Sequence, residues 1–270
     1  MSRSKVQNLL LLKQIHSAVS QIKKGKLDKA LETLDKAENA ARKAKANDAL
    51  YYVLFTRGSI LYTASKYDEA LETYEKTLIV GEELLKTDPE NPDYLHYRGT
   101  VLSNTANLLK KKGEKARAAE YYFQARQTYL SLMTKDPDNA VFNSYAGENL
   151  NNYAVLLAET GSFSQACEVL KEAIGIYEKL LEEKPDNLGY QAELSVALSQ
   201  FGSCLSQQSQ ENNILAKEKM EKALRIQENL LVEQPENENI KEAILLTRER
   251  INKLEEIKDF EGLADKDEDK

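Results

Sequence analysis

Four short proline-bearing segments divide the chain at nearly equal intervals. They read Asp-Pro-Glu-Asn at 88–91, Asp-Pro-Asp-Asn at 136–139, Lys-Pro-Asp-Asn at 184–187 and Gln-Pro-Glu-Asn at 234–237, with prolines 48, 48 and 50 residues apart. Proline disfavours helix in the residue before it, and the asparagine two residues later is a good N-cap. Each segment therefore predicts the end of one helix and the start of the next.

Apolar residues recur at helical spacing between these junctions. The second helix of each unit carries a stripe at i, i+4, i+7, i+11 and i+14, which places its members on one face. The first residues of the stripes lie 40, 48, 48 and 50 apart, which predicts five units. The stripes are Ala30-Leu34-Ala37-Ala41-Ala44, Ala70-Tyr74-Thr77-Gly81-Leu84, Ala118-Tyr122-Ala125-Tyr129-Leu132, Ala166-Leu170-Ala173-Tyr177-Leu180 and Ala216-Met220-Ala223-Gln227-Leu230.

The first helix of each unit ends near a short turn. Glycine at 25, 113 and 161 suits a helix end that needs a left-handed residue. Small residues recur earlier in the same helices, where two helices approach closely only without bulk. These small residues are Ala18, Gly58, Ala106, Ala154 and Gly202.

The pattern predicts an all-α solenoid of about five antiparallel helix pairs. We expect one solenoid domain over residues 1–258, closed by a capping helix at 237–258 whose apolar face includes Ile244 and Ile251. Residues 259–270 are acidic and are expected to form a disordered tail. The predicted repeats are 9–46, 47–90, 91–138, 139–186 and 187–236.

These features resemble the tetratricopeptide repeat family. The resemblance covers about residues 9–234 and is carried by the small residue of the first helix, the Gly-x-aromatic turn and the Ala/aromatic/Ala stripe. The units are longer than the usual 34 residues and are similar to the long-helix repeats of kinesin light chains. The resemblance implies a scaffold whose first helices line a concave, protein-binding face.

Composition excludes several other classes of function. The chain of 270 residues has a net charge of −7 and a pI near 5.2, which argues against nucleic-acid binding because phosphate contacts need basic surplus. Two cysteines form no disulfide framework. The apolar cluster at 9–12 is shorter than a signal peptide or membrane span requires. We therefore expect a cytoplasmic protein without membrane contact.

Signals for catalysis are few. His16 and His96 are far apart and lack a metal-ligand partner one turn away. Cys167 and Cys204 occupy positions that other repeats fill with small or aliphatic residues, so both are expected to be buried. The sequence contains no phosphate-binding glycine loop and no nucleophile elbow. We expect no enzymatic activity, no metal and no cofactor.

Polar residues repeat on the first helices, which the resemblance places on the concave face. Equivalent positions hold Thr56, Asn104, Asn152 and Gln200. A carboxamide has both a donor and an acceptor, so this column looks like the asparagine ladder with which some tetratricopeptide proteins hold an extended peptide. A solvated surface is the alternative explanation. The predicted peptide-binding residues are Thr56, Ser103, Asn104, Asn107, Asn151, Asn152, Gln200 and Ser203.

The corresponding positions near the N-terminus are apolar. They are Leu12, Ile15, Val19 and Phe55, and three interpretations stay open: local packing, an anchor pocket for a partner, or a surface for self-association. The predicted function is a non-enzymatic adaptor that binds another protein or an extended peptide. The alternative is a self-associating structural subunit of a larger assembly.

Overall fold

The computed structural model describes residues 3–267, with side chains for 10–256. Within these residues all the regular structure is helical, which confirms the predicted all-α class. A short 3-10 helix, Gln210–Asn212, precedes α10. The α-helices are α1 Arg3–Lys23, α2 Leu27–Ala44, α3 Asn47–Thr63, α4 Tyr67–Thr87, α5 Pro92–Lys111, α6 Lys115–Lys135, α7 Ala140–Glu159, α8 Phe163–Glu183, α9 Leu188–Gln208, α10 Asn213–Glu233 and α11 Glu238–Asp267.

The proline-bearing junctions form the predicted N-caps. The side-chain oxygen of Asn139 accepts hydrogen bonds from the backbone N–H groups of Val141 and Phe142, at 3.1 and 3.2 Å. Asn91, Asn187 and Asn237 make the same kind of contact at the starts of α5, α9 and α11. Each asparagine thus satisfies N–H groups that have no partner inside the helix.

The turns inside the helix pairs follow the predicted geometry. Gly25, Gly113 and Gly161 have φ values of 69°, 83° and 77°, in the left-handed region that glycine enters without a steric cost. Ser65 takes the same conformation with φ 60° in α3–α4, which lacks a glycine there. The turn geometry is therefore kept in α3–α4 although the residue type changes, whereas the turn of α9–α10 contains the 3-10 helix instead.

The helices form two compact units. Unit 1 is Met1–Leu132 and unit 2 is Met133–Lys270. In unit 1, α2 packs on α1 and α3, and α4 packs on α3 and α5. In unit 2, α8 packs on α7 and α9, while α10 packs on α9 and α11. Each helix thus contacts mainly its neighbours in sequence, as in proteins built from repeats.

The predicted stripes of the second helices form the cores of the units. All their members are buried except Ala44, which is half-buried. Small residues in the first helices receive large side chains from the second, as at Gly58, which faces the ring of Tyr74. A Cβ atom on Gly202 would lie 2.7 Å from Cγ of Met220. These contacts explain why the small residues recur at fixed positions.

The final helix is longer than predicted. Ile244, Ile251 and Leu254 are buried, which agrees with the apolar face expected for the cap. The helix continues to Asp267, beyond the end expected at 258, and the disordered tail stays a prediction. No proline interrupts this segment, and its Glu, Leu, Ala and Lys residues favour helix. Residues 268–270 of the predicted tail lie outside the described residues.

Candidate functional site

The polar columns predicted from the sequence lie on first helices of both units. Thr56 is on α3, while Ser103, Asn104 and Asn107 are on α5; all four belong to unit 1. The residues in unit 2 are Asn151 and Asn152 on α7, with Gln200 and Ser203 on α9.

The adjacent asparagines of α7 have different surroundings. Asn151 is 4% exposed, and its Nδ2 donates to the backbone oxygen and to Oε2 of Glu193, at 3.2 and 3.0 Å. Asn152 is half-buried and makes no side-chain hydrogen bond within the described residues. Asn151 therefore joins α7 to α9, and its place in the binding column stays a prediction. The carboxamide of Asn152 therefore stays available for hydrogen bonding.

Gln200 and Ser203 follow one turn apart on α9. Both are half-buried. The Oε1 atom of Gln200 is shielded from solvent and has no hydrogen-bond partner among the described residues. Ser203 accepts a hydrogen bond from Ser206 through its backbone oxygen, at 2.9 Å, while its hydroxyl makes none in the described part of the chain. The column of α9 therefore has polar side-chain groups that make no hydrogen bond within the described residues.

An arginine from the capping helix lies beside this column. Arg250 is half-buried on α11, and its Nη1 donates to Oγ of Ser199 at 3.1 Å. Burial lowers the pKa of Arg250, which stays protonated at neutral pH. No described carboxylate pairs with it. Sequence reasoning missed this residue because it lies on the last helix, outside the repeating columns.

The column in unit 1 is more engaged in the fold. Thr56 donates to the backbone oxygen of Tyr52 at 2.8 Å, one turn earlier in the same helix. Oδ1 of Asn107 accepts from the hydroxyl of Tyr122, a contact that joins α5 to α6, and its role in binding stays a prediction. Asn104 is half-buried and makes no side-chain hydrogen bond with the described residues. Ser103 is also half-buried.

The apolar positions near the N-terminus separate into two groups. Ile15 and Phe55 are half-buried and pack against the core of unit 1, which agrees with the local-packing interpretation. Leu12 and Val19 are 47% and 39% exposed on α1. The four residues therefore do not share one environment.

Three tyrosines in unit 1 form a contact that the sequence columns did not indicate. The rings of Tyr51 and Tyr52 on α3 lie 4.9 and 5.1 Å from the ring of Tyr97 on α5. The hydroxyl of Tyr51 donates to the backbone oxygen of Tyr97, and the hydroxyls of Tyr52 and Tyr97 bond to each other. Burial raises the pKa of Tyr51 and of Tyr97. The only sequence signal was the density of tyrosine at these positions.

The reactive side chains are placed in the core. Cys167 and Cys204 are free and buried, and burial raises the pKa of the Cys204 thiol to about 11. Burial lowers the pKa of His96. Among the side chains that the structure describes, no group of three His, Cys, Asp or Glu residues is arranged to hold a metal ion. None of the described helices is long and apolar enough to cross a membrane.

Comparisons with known proteins support the assignment of this chain to the class of proteins built from repeated helix pairs. The tetratricopeptide repeat family model matches residues 150–187, which include the second half of α7 and all of α8 in unit 2. A comparison with curated protein sequences finds no match. The chain therefore contains a tetratricopeptide repeat at 150–187.

Solved structures show the same fold at low sequence identity. BtubC from P. vanneervenii is 19% identical with a TM-score of 0.57, over 85% of this chain and 93% of that one. The nearly identical kinesin light chain TPR-like repeats of Podosopora anserina are 20% identical, with a TM-score of 0.58 over 82% and 96%. These matches confirm the predicted resemblance to tetratricopeptide-repeat proteins with kinesin-light-chain-like repeats.

A third similar structure is much larger than this chain. It is a signal transduction ATPase with numerous domains and a tetratricopeptide repeat sensor, from Pyrococcus horikoshii. The identity is 13% and the TM-score 0.62, over 96% of this chain but only 38% of that one. At such identities the similarity concerns the fold alone.

Proposed function

We propose that this protein is a non-enzymatic adaptor that binds an extended segment of another protein through the polar faces of its first helices. Tetratricopeptide repeats generally mediate protein–protein interactions, and the family model matches within unit 2. The observation that carries the proposal is the amide of Asn152, which is half-buried and makes no hydrogen bond within the described residues. A carboxamide so placed can pair with a peptide N–H and C=O together.

Gln200 and Arg250 support the same assignment in unit 2. The shielded Oε1 of Gln200 carries a desolvation cost, which a partner's donor would remove once the side chain turns toward it. The guanidinium of Arg250 has only one hydrogen bond in the described chain, to Ser199. An arginine that is half-buried and lacks a carboxylate partner favours an acidic group on the bound segment. In unit 1, Asn104 is the one predicted amide that stays available.

Binding of peptides tests this proposal. A peptide library screened on the immobilised full chain supplies the probe, and fluorescence anisotropy then measures Kd for the variants. Losing two amide contacts in Asn152→Ala/Gln200→Ala weakens binding by roughly tenfold or more, since each net hydrogen bond contributes about 0.5–1.5 kcal/mol. Asn104→Ala, in unit 1, is measured separately.

A matched control removes two carboxamides elsewhere in unit 2. Gln165 on α8 and Asn252 on α11 are exposed, so Gln165→Ala/Asn252→Ala leaves Kd unchanged. Circular dichroism checks that both double variants keep their helical content. Equal affinities for the wild type and the Asn152→Ala/Gln200→Ala variant would exclude these amides from the binding site.

A second candidate function rests on the exposed residues of α1. Leu12 and Val19 lie seven residues apart, on one helical face, and both are exposed. An apolar face of this kind suits self-association, so the alternative function is a structural subunit of a larger assembly. Light scattering after size exclusion would show a multimer that Leu12→Glu/Val19→Glu converts to monomer. A wild-type monomer at high micromolar concentration contradicts this alternative.

A further inference from the structure

One packing layer repeats in neighbouring helix pairs and consists of a glycine and a tyrosine. In the pair α5–α6, Gly99 faces Tyr129, and a Cβ atom on the glycine would lie 2.8 Å from Cζ of the ring. In the pair α7–α8, Gly147 faces Tyr177 in the same way, at 2.6 Å. Both rings are almost completely buried. The missing side chain of the glycine is thus the space that the tyrosine ring occupies.

The helix pairs on either side, α3–α4 and α9–α10, depart from this glycine–tyrosine layer in different ways. Counting 48 residues back, the pair α3–α4 has the two residue types exchanged, with the ring of Tyr51 on the first helix 3.6 Å from the Cβ position of Gly81 on the second. Counting 48 residues forward from Gly147 reaches Ser195 on α9, which lies across from Gln227 on α10. The pair α9–α10 therefore has neither the ring nor the glycine.

A cavity of about 410 Å³ lies at this layer of the pair α9–α10. Its volume falls within the range of small-ligand sites. Ser195 and Gln227 both line it, together with Glu193. The apolar part of the wall is formed by Leu188, Ala192, Val196, Leu230, Ile240 and Ala243.

The buried amide of Gln227 lacks a hydrogen-bond partner. The side chain is only 3% exposed, and its Oε1 is shielded from solvent with no donor among the described residues. Ser195 cannot supply the donor in this arrangement, because its hydroxyl already donates to the backbone oxygen of Ala192 at 2.8 Å. A buried acceptor of this kind is normally satisfied, so the amide of Gln227 is the polar group in the cavity wall that a ligand could satisfy.

The residues that line the cavity restrict which kind of ligand could supply this hydrogen-bond donor. Glu193 is the charged residue among those that line it, and no lysine or arginine does so, which disfavours an anionic ligand. The apolar side chains favour a ligand with a hydrophobic body. The equivalent layers of the neighbouring pairs hold a phenol ring, as Tyr129 and Tyr177 show, so the frame of the repeat accommodates that shape.

We propose that this cavity binds a phenol ring, whose hydroxyl donates to Oε1 of Gln227 once the amide turns toward the cavity, while the ring packs between Val196 and Leu230. Either a free small phenol or a tyrosine side chain of a bound segment has this chemistry. The site is independent of the adaptor function, since it uses neither Asn152 nor Gln200.

Titration of the full chain with p-cresol, the side chain of tyrosine as a free molecule, tests the site. Two-dimensional NMR is expected to show saturable shifts of the amide resonances at 192–196 and 227–230. Toluene has the same body without the hydroxyl and should bind about tenfold more weakly, because it leaves the acceptor unsatisfied. In Gln227→Leu, which keeps the bulk and removes the acceptor, this preference for p-cresol disappears.

A variant that restores the tyrosine layer is the matched control. Ser195→Gly/Gln227→Tyr fills the cavity from inside, so it keeps the helical content and loses p-cresol binding. A crystal structure of the wild type grown with p-cresol should show the ring beside Gln227. Ordered water alone at that place, or equal binding of toluene and p-cresol, would overturn the proposal.

Peptides distinguish the two sources of the ring. The acetylated, amidated peptide Gly-Gly-Tyr-Gly-Gly is compared with its phenylalanine counterpart by the same NMR shifts. Shifts with the tyrosine peptide assign the site to a bound protein segment. Shifts with p-cresol alone assign it to a free small molecule, and shifts with neither probe refute the phenol site. Failure of the phenol site would not affect the proposed peptide binding at Asn152. Failure of peptide binding at Asn152 would likewise not affect the phenol site.

Discussion

The helix pairs α7–α8 and α9–α10 of unit 2 are built on one plan and differ clearly at one packing layer. Each pair begins at an asparagine N-cap and buries a stripe of the second helix. The first fills the layer with the ring of Tyr177 against Gly147, whereas the second places Gln227 there. The caps and stripes specify the frame. Within it Ser195 and Gln227 replace the glycine and the tyrosine, and both line a cavity together with residues of α11.

The largest expected effect comes from removing the ring. Tyr177→Ala should lower the free energy of unfolding by about 3–5 kcal/mol, the cost of a large buried aromatic side chain. Gln227→Ala, at the equivalent position, should cost less than about 1 kcal/mol, because the truncation also removes an unsatisfied acceptor. Urea unfolding followed by circular dichroism measures both. Equal losses would mean that the two layers do not differ in packing.

The glycines of the first pair provide the next effect. Gly147→Ala places a methyl group against Tyr177 and should cost about 1–3 kcal/mol through overpacking. Gly175, in the middle of α8, has nothing within 4 Å of its Cβ position, so Gly175→Ala should stabilise the protein by about 0.5–1 kcal/mol. The same unfolding experiment gives opposite signs for the two variants. If Gly175→Ala also destabilised the protein, the expected gain from helical propensity at that position would be contradicted.

The N-caps should behave alike in the two pairs. Asn139→Ala and Asn187→Ala should each cost about 1 kcal/mol, since each removes an acceptor from the first turn of a helix. Asn139 accepts two backbone hydrogen bonds and Asn187 one, so the loss is slightly larger for Asn139. A cap variant in one pair that costs several times more than in the other would contradict a shared frame.

The smallest effect concerns the cysteines and leaves stability unchanged. Cys167 on α8 and Cys204 on α9 are both buried, and burial raises the pKa of both thiols, for Cys204 to about 11. Because the thiolate is the reactive form, alkylation at pH 8 should be slow for both and slower for Cys204. Mass spectrometry of iodoacetamide-treated protein measures the two rates. In urea the rates should rise and become equal; unequal rates there would point to causes other than burial.

Much of the frame could be predicted from the sequence because its signals are local. Asn91, Asn139, Asn187 and Asn237 cap helices with atoms two or three residues away. Glycine at 25, 113 and 161 acts through its own φ angle. The Ala/aromatic stripes follow from the period of the helix. The final helix extends to Asp267, past the end expected from the sequence, since no capping residue marks a boundary near 258.

The candidate site was harder to predict because neighbouring residues of one type acquire different roles. Asn151 and Asn152 are adjacent amides, and only the position of Glu193, some forty residues away, makes the first structural. Asn107 likewise bonds to Tyr122 on the next helix. Arg250 reaches Ser199 from the last helix. These contacts depend on how helices pack against each other, which no repeat column records.

The sequence by itself determined the class of the protein: paired helices, their N-caps, their turns and the buried stripe of each second helix. Those features arise from backbone preferences and helical periodicity within a few residues. Only the tertiary structure decided which amides are used in the fold, as at Asn151, and which stay available, as at Asn152. It also revealed the cavity at Gln227, because an empty volume is a property of several helices together.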